Sequence, residues 1–100
     1  MSFGEYIRSL RTGKGFSQVE VAEMANVTTP YLSKIEKDRV PPPSEDVLIR
    51  LALALSEDTH RMIVRAGKIP SDFQDVILQD EEAFKYLKKK CRAKITANGG

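Results

Sequence analysis

The stretch Ser17–Asp38, SQVEVAEMANVTTPYLSKIEKD, decides how the rest of this sequence is interpreted. Its first half places small and apolar residues three and four positions apart, which predicts a helix capped by the Ser17 hydroxyl. Asn26 interrupts that pattern, and asparagine tolerates the left-handed backbone conformation that a sharp corner needs. A second helix follows, because Pro30 suits a first turn and the apolar spacing then resumes.

Either Thr28 or Thr29 can cap this second helix. The residue before a proline avoids the helical region, which favours Thr29 as the cap and Pro30 as the first helical residue. The small side chain of Ala22 would let the two helices cross closely. Two helices joined steeply through so short a turn form a helix-turn-helix, whose second helix can enter the major groove of DNA.

Residues 5–66 resemble the phage repressor and Cro family of bacterial helix-turn-helix regulators, the xenobiotic-response-element type. The matching residues are Ile7-Arg8-Ser9-Leu10-Arg11, Gly15-Phe16-Ser17-Gln18, Val21-Ala22, Asn26-Val27-Thr28, Tyr31-Leu32-Ser33-Lys34-Ile35-Glu36, Pro42 or Pro43, and Leu51-Ala52-x-x-Leu55. Asn26 stands where the family prefers glycine, and Asp38 stands where glycine often ends the second helix of the motif. The resemblance implies an all-α, five-helix, repressor-like DNA-binding domain.

The spacing of apolar residues along the 100-residue chain predicts helices throughout and no strand. We expect a helix-turn-helix DNA-binding domain over residues 1–67, a C-terminal helical hairpin over 68–95, and a disordered tail over 96–100. A capping box from Ser71 to Gln74 predicts the start of the first hairpin helix, and the second is expected to start near Asp80.

The resemblance also implies which side chains meet DNA. In the family, the outward face near the start of the second motif helix reaches base edges, and the residues there are Thr29, Pro30, Ser33 and Lys34. A lysine in the major groove can donate to guanine O6 and N7, so Lys34 is expected to contribute most to base discrimination. Phosphate contacts are expected from Gln18, Thr28, Tyr31, Lys37 and Arg39. The alternative for each is a solvated surface side chain.

Two further residues have a structural role in the family pattern. Arg11 and Glu36 match positions that form a partly buried ion pair, which ties the first helix to the DNA-reading helix. Loss of Glu36 would leave the arginine without its partner, so we expect it to destabilise the fold.

The C-terminal hairpin carries more apolar side chains than so short an element can hide within itself. One reading helix contacts only a few base pairs, so a dimer with its two reading helices ~34 Å apart on a palindrome would gain affinity. We therefore expect a homodimer formed through Phe73, Val76, Ile77, Phe84, Leu87 and Cys91. The alternative is that this stripe packs onto the fourth and fifth helices of its own chain.

The composition does not support an enzyme. His60 is the only histidine and Cys91 the only cysteine, which excludes an internal disulfide and the usual metal-binding spacings. Gly13-x-Gly15 lacks the further glycine, the lysine and the preceding strand of a phosphate-binding loop. We expect no catalytic residues, no cofactor and no metal.

Charge and hydropathy set the remaining expectations. The net charge is only +2, so DNA binding must depend on where the charges lie. The longest apolar run, Leu51–Leu55, is too short for a membrane span and no signal-peptide pattern opens the chain, which predicts a cytoplasmic protein without a membrane partner. We expect a sequence-specific regulator that binds double-stranded DNA, most often in this family a repressor. The alternative is an antitoxin-type DNA-binding protein whose C-terminal helices bind a partner protein.

Overall fold

The computed structural model describes the backbone of residues 1–99 and the side chains of residues 1–93. Every regular element in that part of the chain is an α-helix, which confirms the expected all-α fold. In chain order the helices are α1 (Phe3–Gly13), α2 (Gln18–Ala25), α3 (Thr29–Glu36), α4 (Glu45–Ala54), α5 (Thr59–Arg65), α6 (Ser71–Gln79) and α7 (Glu81–Gly99).

The helices fall into two compact units. The N-terminal unit, Met1–Lys68, contains α1 to α5, and the C-terminal unit, which begins at Ile69, contains α6 and α7. In the N-terminal unit α4 packs against α2 and α5, while α3 packs against α1 and α2. The buried apolar side chains of its core are Tyr6, Ile7, Val21, Ala22, Ala25, Leu32, Ile35, Leu48, Leu51, Ala52, Leu55, Met62, Ile63 and Ala66.

Short polar side chains fix where several of these helices begin. Ser17 and Glu20 form a capping box, in which the Ser17 hydroxyl accepts from the Glu20 N–H at 3.1 Å and the Glu20 carboxylate accepts from the Ser17 N–H at 3.0 Å. Asp58 caps α5 by accepting from the Arg61 N–H at 2.9 Å. Ser44 occupies the N-cap position of α4, but its side chain makes no capping hydrogen bond.

The start of α6 differs from the expectation. Ser71 is the first helical residue and Pro70 precedes it as the N-cap, so the capping box predicted from Ser71 to Gln74 is wrong. A capping hydroxyl must stand on the residue before the helix, where its backbone is extended, and proline fills that place here. The Gln74 side chain instead donates to the Ile69 carbonyl at 2.9 Å.

The start of α7 lies where the sequence predicted it. The Asp80 carboxylate accepts from the Glu82 N–H at 3.0 Å and from the Ala83 N–H at 3.3 Å, as an N-cap does. At its other end α7 continues to Gly99, into the segment 96–100 for which we expected a tail. Gly100 and the side chains of residues 94–99 lie outside the described residues.

The C-terminal unit exposes an apolar groove between α6 and α7. We call it the hairpin groove; it has a volume of about 280 Å³ and is lined by Phe73, Val76, Ile77, Ala83, Tyr86 and Leu87. The side chain of Phe84 is 46% exposed and Cys91 is also exposed, and neither of them lines the groove. The six residues predicted to form a dimer contact are thus distributed between the groove and the neighbouring surface of α7.

Candidate nucleic-acid interface

The turn between α2 and α3 has the geometry that the sequence indicated. Asn26 adopts a left-handed conformation, with φ 54° and ψ 50°, directly after α2. The Val27 N–H then donates to the Ala22 carbonyl at 2.9 Å, which closes the end of α2. Ala22 and Ala25 are buried, so α3 can approach α2 closely.

The cap of α3 is Thr28, and the preference for Thr29 is wrong. The Thr28 backbone is extended and its hydroxyl accepts from the Tyr31 N–H at 3.2 Å. Thr29 is the first helical residue and Pro30 the second. A residue before proline tends to avoid the helical region, but Thr29 is helical here. The capping hydrogen bond made by Thr28 outweighs that tendency.

The four predicted base-contacting residues lie on one side of α3. Thr29 and Ser33 form one row at i, i+4 spacing, and Pro30 and Lys34 form the adjacent row. Pro30 and Lys34 are exposed, while Thr29 and Ser33 are half-buried. The opposite side of the helix holds Leu32, Ile35 and Glu36, which are buried. We call the first set the outer face of α3.

An ion pair fixes the inner side of α3 to α1. The Arg11 guanidinium donates from Nε to Glu36 Oε2 at 2.7 Å and from Nη2 to Glu36 Oε1 at 2.9 Å. The Gln18 amide donates to the same carboxylate at 3.2 Å, and Arg11 Nη1 donates to the Phe16 carbonyl at 3.0 Å. The side chains of Arg11 and Glu36 are 12% and 3% exposed. The hydrogen bond to Glu36 raises the pKa of Arg11 above its usual value.

Beside this ion pair lies a small basic cleft. It has a volume of about 200 Å³ and is lined by Arg8, Arg11, Gln18, Glu36 and Lys37. Two of these, Gln18 and Lys37, were predicted to contact phosphate, and the structure brings them to one site at the start of α2. Three cations and one anion line the cleft, which suits it to a phosphate group.

Arg8 is the residue in this cleft that sequence reasoning missed. It precedes Arg11 by three residues on α1, so the two lie on the same side of that helix. That spacing could have indicated it. The other predicted phosphate contacts lie elsewhere: Thr28 and Arg39 are exposed, and Tyr31 is half-buried against the core.

The end of α3 is also held by α1, through Asp38. Asp38 adopts a left-handed conformation, with φ 56°, immediately after the helix. Its carboxylate accepts from the Ser2 hydroxyl at 2.6 Å and from the Gly4 N–H at 2.8 Å, so it satisfies donors at the start of α1. Two carboxylates therefore hold α1 against the α3 segment: Asp38 at the start of α1, and Glu36 through Arg11 near its end.

The Asp38 contact predicts an acid-dependent loss of stability. Hydrogen bonds from the Ser2 hydroxyl, and then from the Gly4 N–H, hold the pKa of Asp38 below its usual 3.8. A depressed folded-state pKa means that the stabilisation is complete above the unfolded pKa and is lost as the pH falls through the folded value. Asp38→Asn is therefore expected to be less stable than wild type at neutral pH, with a difference that narrows as the pH falls through the unfolded and then the folded pKa of this carboxyl group.

Urea unfolding followed by circular dichroism at several pH values measures this difference. Glu23→Gln, on the exposed surface of α2, is the matched control and is expected to leave the pH profile unchanged. A difference between Asp38→Asn and wild type that stays constant across the acid range would show that the carboxylate does not carry the effect.

A comparison with known protein families identifies this arrangement. The profile of the helix-turn-helix family matches residues 7–59, which include most of α1, all of α2, α3 and α4, and the turn between α2 and α3. The chain belongs to the Cro/C1-type helix-turn-helix family. It carries the DNA-binding helix-turn-helix of a transcriptional regulator, and the resemblance found from the sequence motifs is confirmed.

Individual relatives agree with this assignment. An uncharacterized HTH-type transcriptional regulator of Mycobacterium tuberculosis is 37% identical over 81 residues, which are 77% of this chain and 57% of that protein. The HTH-type transcriptional regulator SinR of Bacillus licheniformis is 30% identical over 95 residues, 89% of this chain and 85% of that protein. The chain thus spans little more than half the length of the mycobacterial relative.

A likeness in fold to a solved structure covers most of the chain. A chain of a SinR protein/SinI protein complex has a TM-score of 0.57 and 23% sequence identity, over 94% of this chain and 98% of that one. The family and the relatives are transcriptional regulators, in agreement with the expectation that this protein is not an enzyme. Among the described residues, no group of three or more histidine, cysteine or acidic side chains could hold a metal ion. None of the helices described is long and apolar enough to cross a bilayer.

Proposed function

We propose that this protein is a sequence-specific transcriptional repressor that binds a palindromic operator as a homodimer. The observation that supports the proposal is the outer face of α3, where Pro30 and Lys34 are exposed and Thr29 and Ser33 half-buried. The inner side of the helix is anchored by the core and by Glu36. A helix presented in this way can enter the major groove. Repression would follow from occupancy of a promoter in the cytoplasm, without any chemical step.

In this proposal the contacts divide into base reading and phosphate positioning. Thr29, Pro30, Ser33 and Lys34 face the base edges, and Lys34 donates to guanine. The basic cleft holds one phosphate between Arg8, Gln18 and Lys37, and Thr28, Tyr31 and Arg39 contact neighbouring phosphates. The amide of Gln18 already donates one hydrogen bond to Glu36, and that bond holds the Gln18 side chain in place at the cleft.

Two lysines of the same segment provide a test of this division. Lys34→Ala is expected to lose about 1–3 kcal/mol of discrimination at one base position of each half-site. Lys37→Ala removes the same charge three residues later, but it is expected to weaken binding to all sequences alike. The salt slope of log affinity is then expected to fall by about 1 for each phosphate that the protein no longer neutralises.

Selection of bound sequences from random duplexes, followed by affinity measurements against salt, gives both quantities. Thermal melting of each variant serves as the control for folding, since both lysines are exposed and neither is expected to change stability. If Lys34→Ala weakens every sequence equally, then Lys34 contacts phosphate and the base-reading role of the outer face is wrong.

A second candidate function is that of an antitoxin-type protein, whose C-terminal helices bind a partner protein. The exposed hairpin groove favours it, because a groove lined by Phe73, Val76 and Leu87 offers an apolar surface to a partner. A structural neighbour of this chain is found in a SinR protein/SinI protein complex, and that likeness concerns the fold alone. Circular dichroism of the isolated chain separates the two functions: a stably folded hairpin favours the plain regulator, and a hairpin that becomes helical only with a co-purified partner favours the antitoxin type.

A further inference from the structure

The charges along α7 change sign from its start to its centre. Acidic side chains occupy the cap and first turn at Asp80, Glu81 and Glu82. From there to residue 93 every charged side chain is basic, and these are Lys85, Lys88, Lys89, Lys90 and Arg92. All of them are exposed. One surface of the helix therefore carries both signs of charge in separate segments.

An apolar stripe runs along the same helix. Phe84, Leu87 and Cys91 are spaced three and four residues apart, so they line one side of α7 as the a and d positions of a heptad do. Phe84 is 46% exposed and Leu87 43% exposed. Glu81 and Lys88 are seven residues apart, and both stand next to the stripe on the same flank.

We propose that this stripe is covered by the same stripe of a second copy, with the two α7 helices antiparallel. A parallel pair would align the basic segments of both copies and bring like charges together. An antiparallel pair places the acidic start of each helix beside the basic centre of the other, so the charge pattern itself indicates the orientation. This inference rests on the proposed homodimer and assigns it one geometry.

The charges also select the register of the pair. With Phe84 opposite Leu87 of the partner subunit, the flanking Glu81 lies opposite Lys88 of the partner subunit. Two-fold symmetry forms that ion pair twice. A shift by one heptad would place Leu87 opposite Cys91 of the partner subunit and Lys88 opposite Lys88 of the partner subunit, where the charges repel. The first register satisfies both the apolar stripe and the charges.

Charge reversal tests this geometry. Glu81→Lys and Lys88→Glu are each expected to weaken the homodimer about tenfold, because two attractive pairs become repulsive and each exposed pair contributes only modestly. An equimolar mixture of the two variants restores both pairs, since Lys at 81 meets Glu at 88 and the native pair forms on the other side. The mixture is therefore expected to form a heterodimer with near wild-type affinity. Sedimentation equilibrium at low and high salt measures these constants.

Neighbouring residues provide matched controls. Glu82→Lys and Lys89→Glu make the same changes in charge on the side of α7 that faces away from the stripe. Neither is expected to weaken the homodimer as strongly, and their mixture is expected to show no preference for the heterodimer. A heterodimer preference for this control pair as strong as for positions 81 and 88 would overturn the assigned register.

Cys91 provides an independent test of orientation. In the proposed register the two Cys91 residues lie about 16 Å apart along the helix axis, at 1.5 Å per residue. A disulfide requires Cα atoms within about 7 Å, so mild oxidation is expected to leave the dimer uncrosslinked. A parallel pair would place the two cysteines opposite each other and would crosslink. Rapid formation of a disulfide-linked dimer would therefore overturn the antiparallel pairing.

The outcomes separate this inference from the proposed function. If neither Glu81→Lys nor Lys88→Glu changes the affinity of the homodimer, the proposed α7 geometry is wrong. That result would not contradict sequence-specific DNA binding. A chain that remains monomeric at concentrations up to about 100 μM overturns both the pairing and the homodimer. The effect of Lys34→Ala on base preference is read in a separate measurement and does not depend on either result.

Discussion

Replacement of Gly4 by alanine is expected to destabilise the N-terminal unit by about 3 kcal/mol, at the upper end of the usual cost of overpacking. A Cβ atom at this position would lie 2.5 Å from the Glu36 carbonyl oxygen, 2.6 Å from the Ile35 carbonyl oxygen and 2.8 Å from the Asp38 carboxylate. Two of these atoms belong to the backbone of α3, so a rotamer change cannot relieve the overlap. The helices α1 and α3 must separate, and that movement breaks the hydrogen bond from the Gly4 N–H to Asp38.

Chemical denaturation of Gly4→Ala measures the loss of stability, and Gly13→Ala is the matched control. Gly13 ends the same helix, and no heavy atom lies within 4 Å of the position that its Cβ would take. Alanine there is expected to be neutral or to stabilise by up to about 1 kcal/mol, because alanine is the better helix former. Equal stability of the two variants would mean that α1 and α3 do not approach as closely as the structure shows.

Glu36→Ala is the second substitution with a large expected effect, a loss of about 3 kcal/mol in the free energy of unfolding. It removes the carboxylate that pairs with Arg11 and accepts from Gln18, while the guanidinium stays largely buried. Removal of one member of a buried pair costs more than the pair contributes, because the remaining charge has no partner. The remaining hydrogen bond from Arg11 to the Phe16 carbonyl limits the loss to the lower end of the range.

A double-mutant cycle gives the coupling between the two side chains. Once Glu36 is alanine, Arg11→Met is expected to cost little further stability, because it removes an uncompensated charge. Asp46→Ala is the control at an exposed pair: Asp46 lies 3.7 Å from Arg50 and its side chain is 82% exposed, so the loss should stay below about 0.5 kcal/mol. If the effects of Glu36→Ala and Arg11→Met simply add, the ion pair does not stabilise the fold in the way proposed.

The features that the sequence predicted well are those governed by local rules. The apolar spacing of α2 and α3, the Ser17 cap and the left-handed Asn26 each depend on residues within one or two helical turns. The same rules placed the start of α7 at Asp80. Local preference was less reliable where two rules competed, as at Thr28 and Thr29, and where a proline occupied the N-cap position, as Pro70 does before Ser71.

The features that the sequence did not predict involve residues far apart in the chain. Asp38 was noted only as a departure from glycine, and nothing local indicates that its carboxylate reaches Ser2 and Gly4. The same holds for the hydrogen bond from the Tyr6 hydroxyl to the Glu57 carboxylate, 2.6 Å long and 51 positions apart in sequence. Burial, and then this hydrogen bond, raise the pKa of Tyr6 to about 12. Such contacts depend on how helices dock, and periodicity does not encode docking.

The anchors of α3 all lie on its inner side or beyond its last turn, and this has a consequence for evolution and engineering. Leu32, Ile35, Glu36 and Asp38 hold the helix in place, and none of them belongs to the outer face. The exposed residues of that face, Pro30 and Lys34, can therefore be exchanged with less cost to folding than the half-buried Thr29 and Ser33. In the proposed DNA complex such a scaffold is reprogrammable: new operator preferences would be acquired by changing side chains of the outer face, while the frame that carries them stays unaltered.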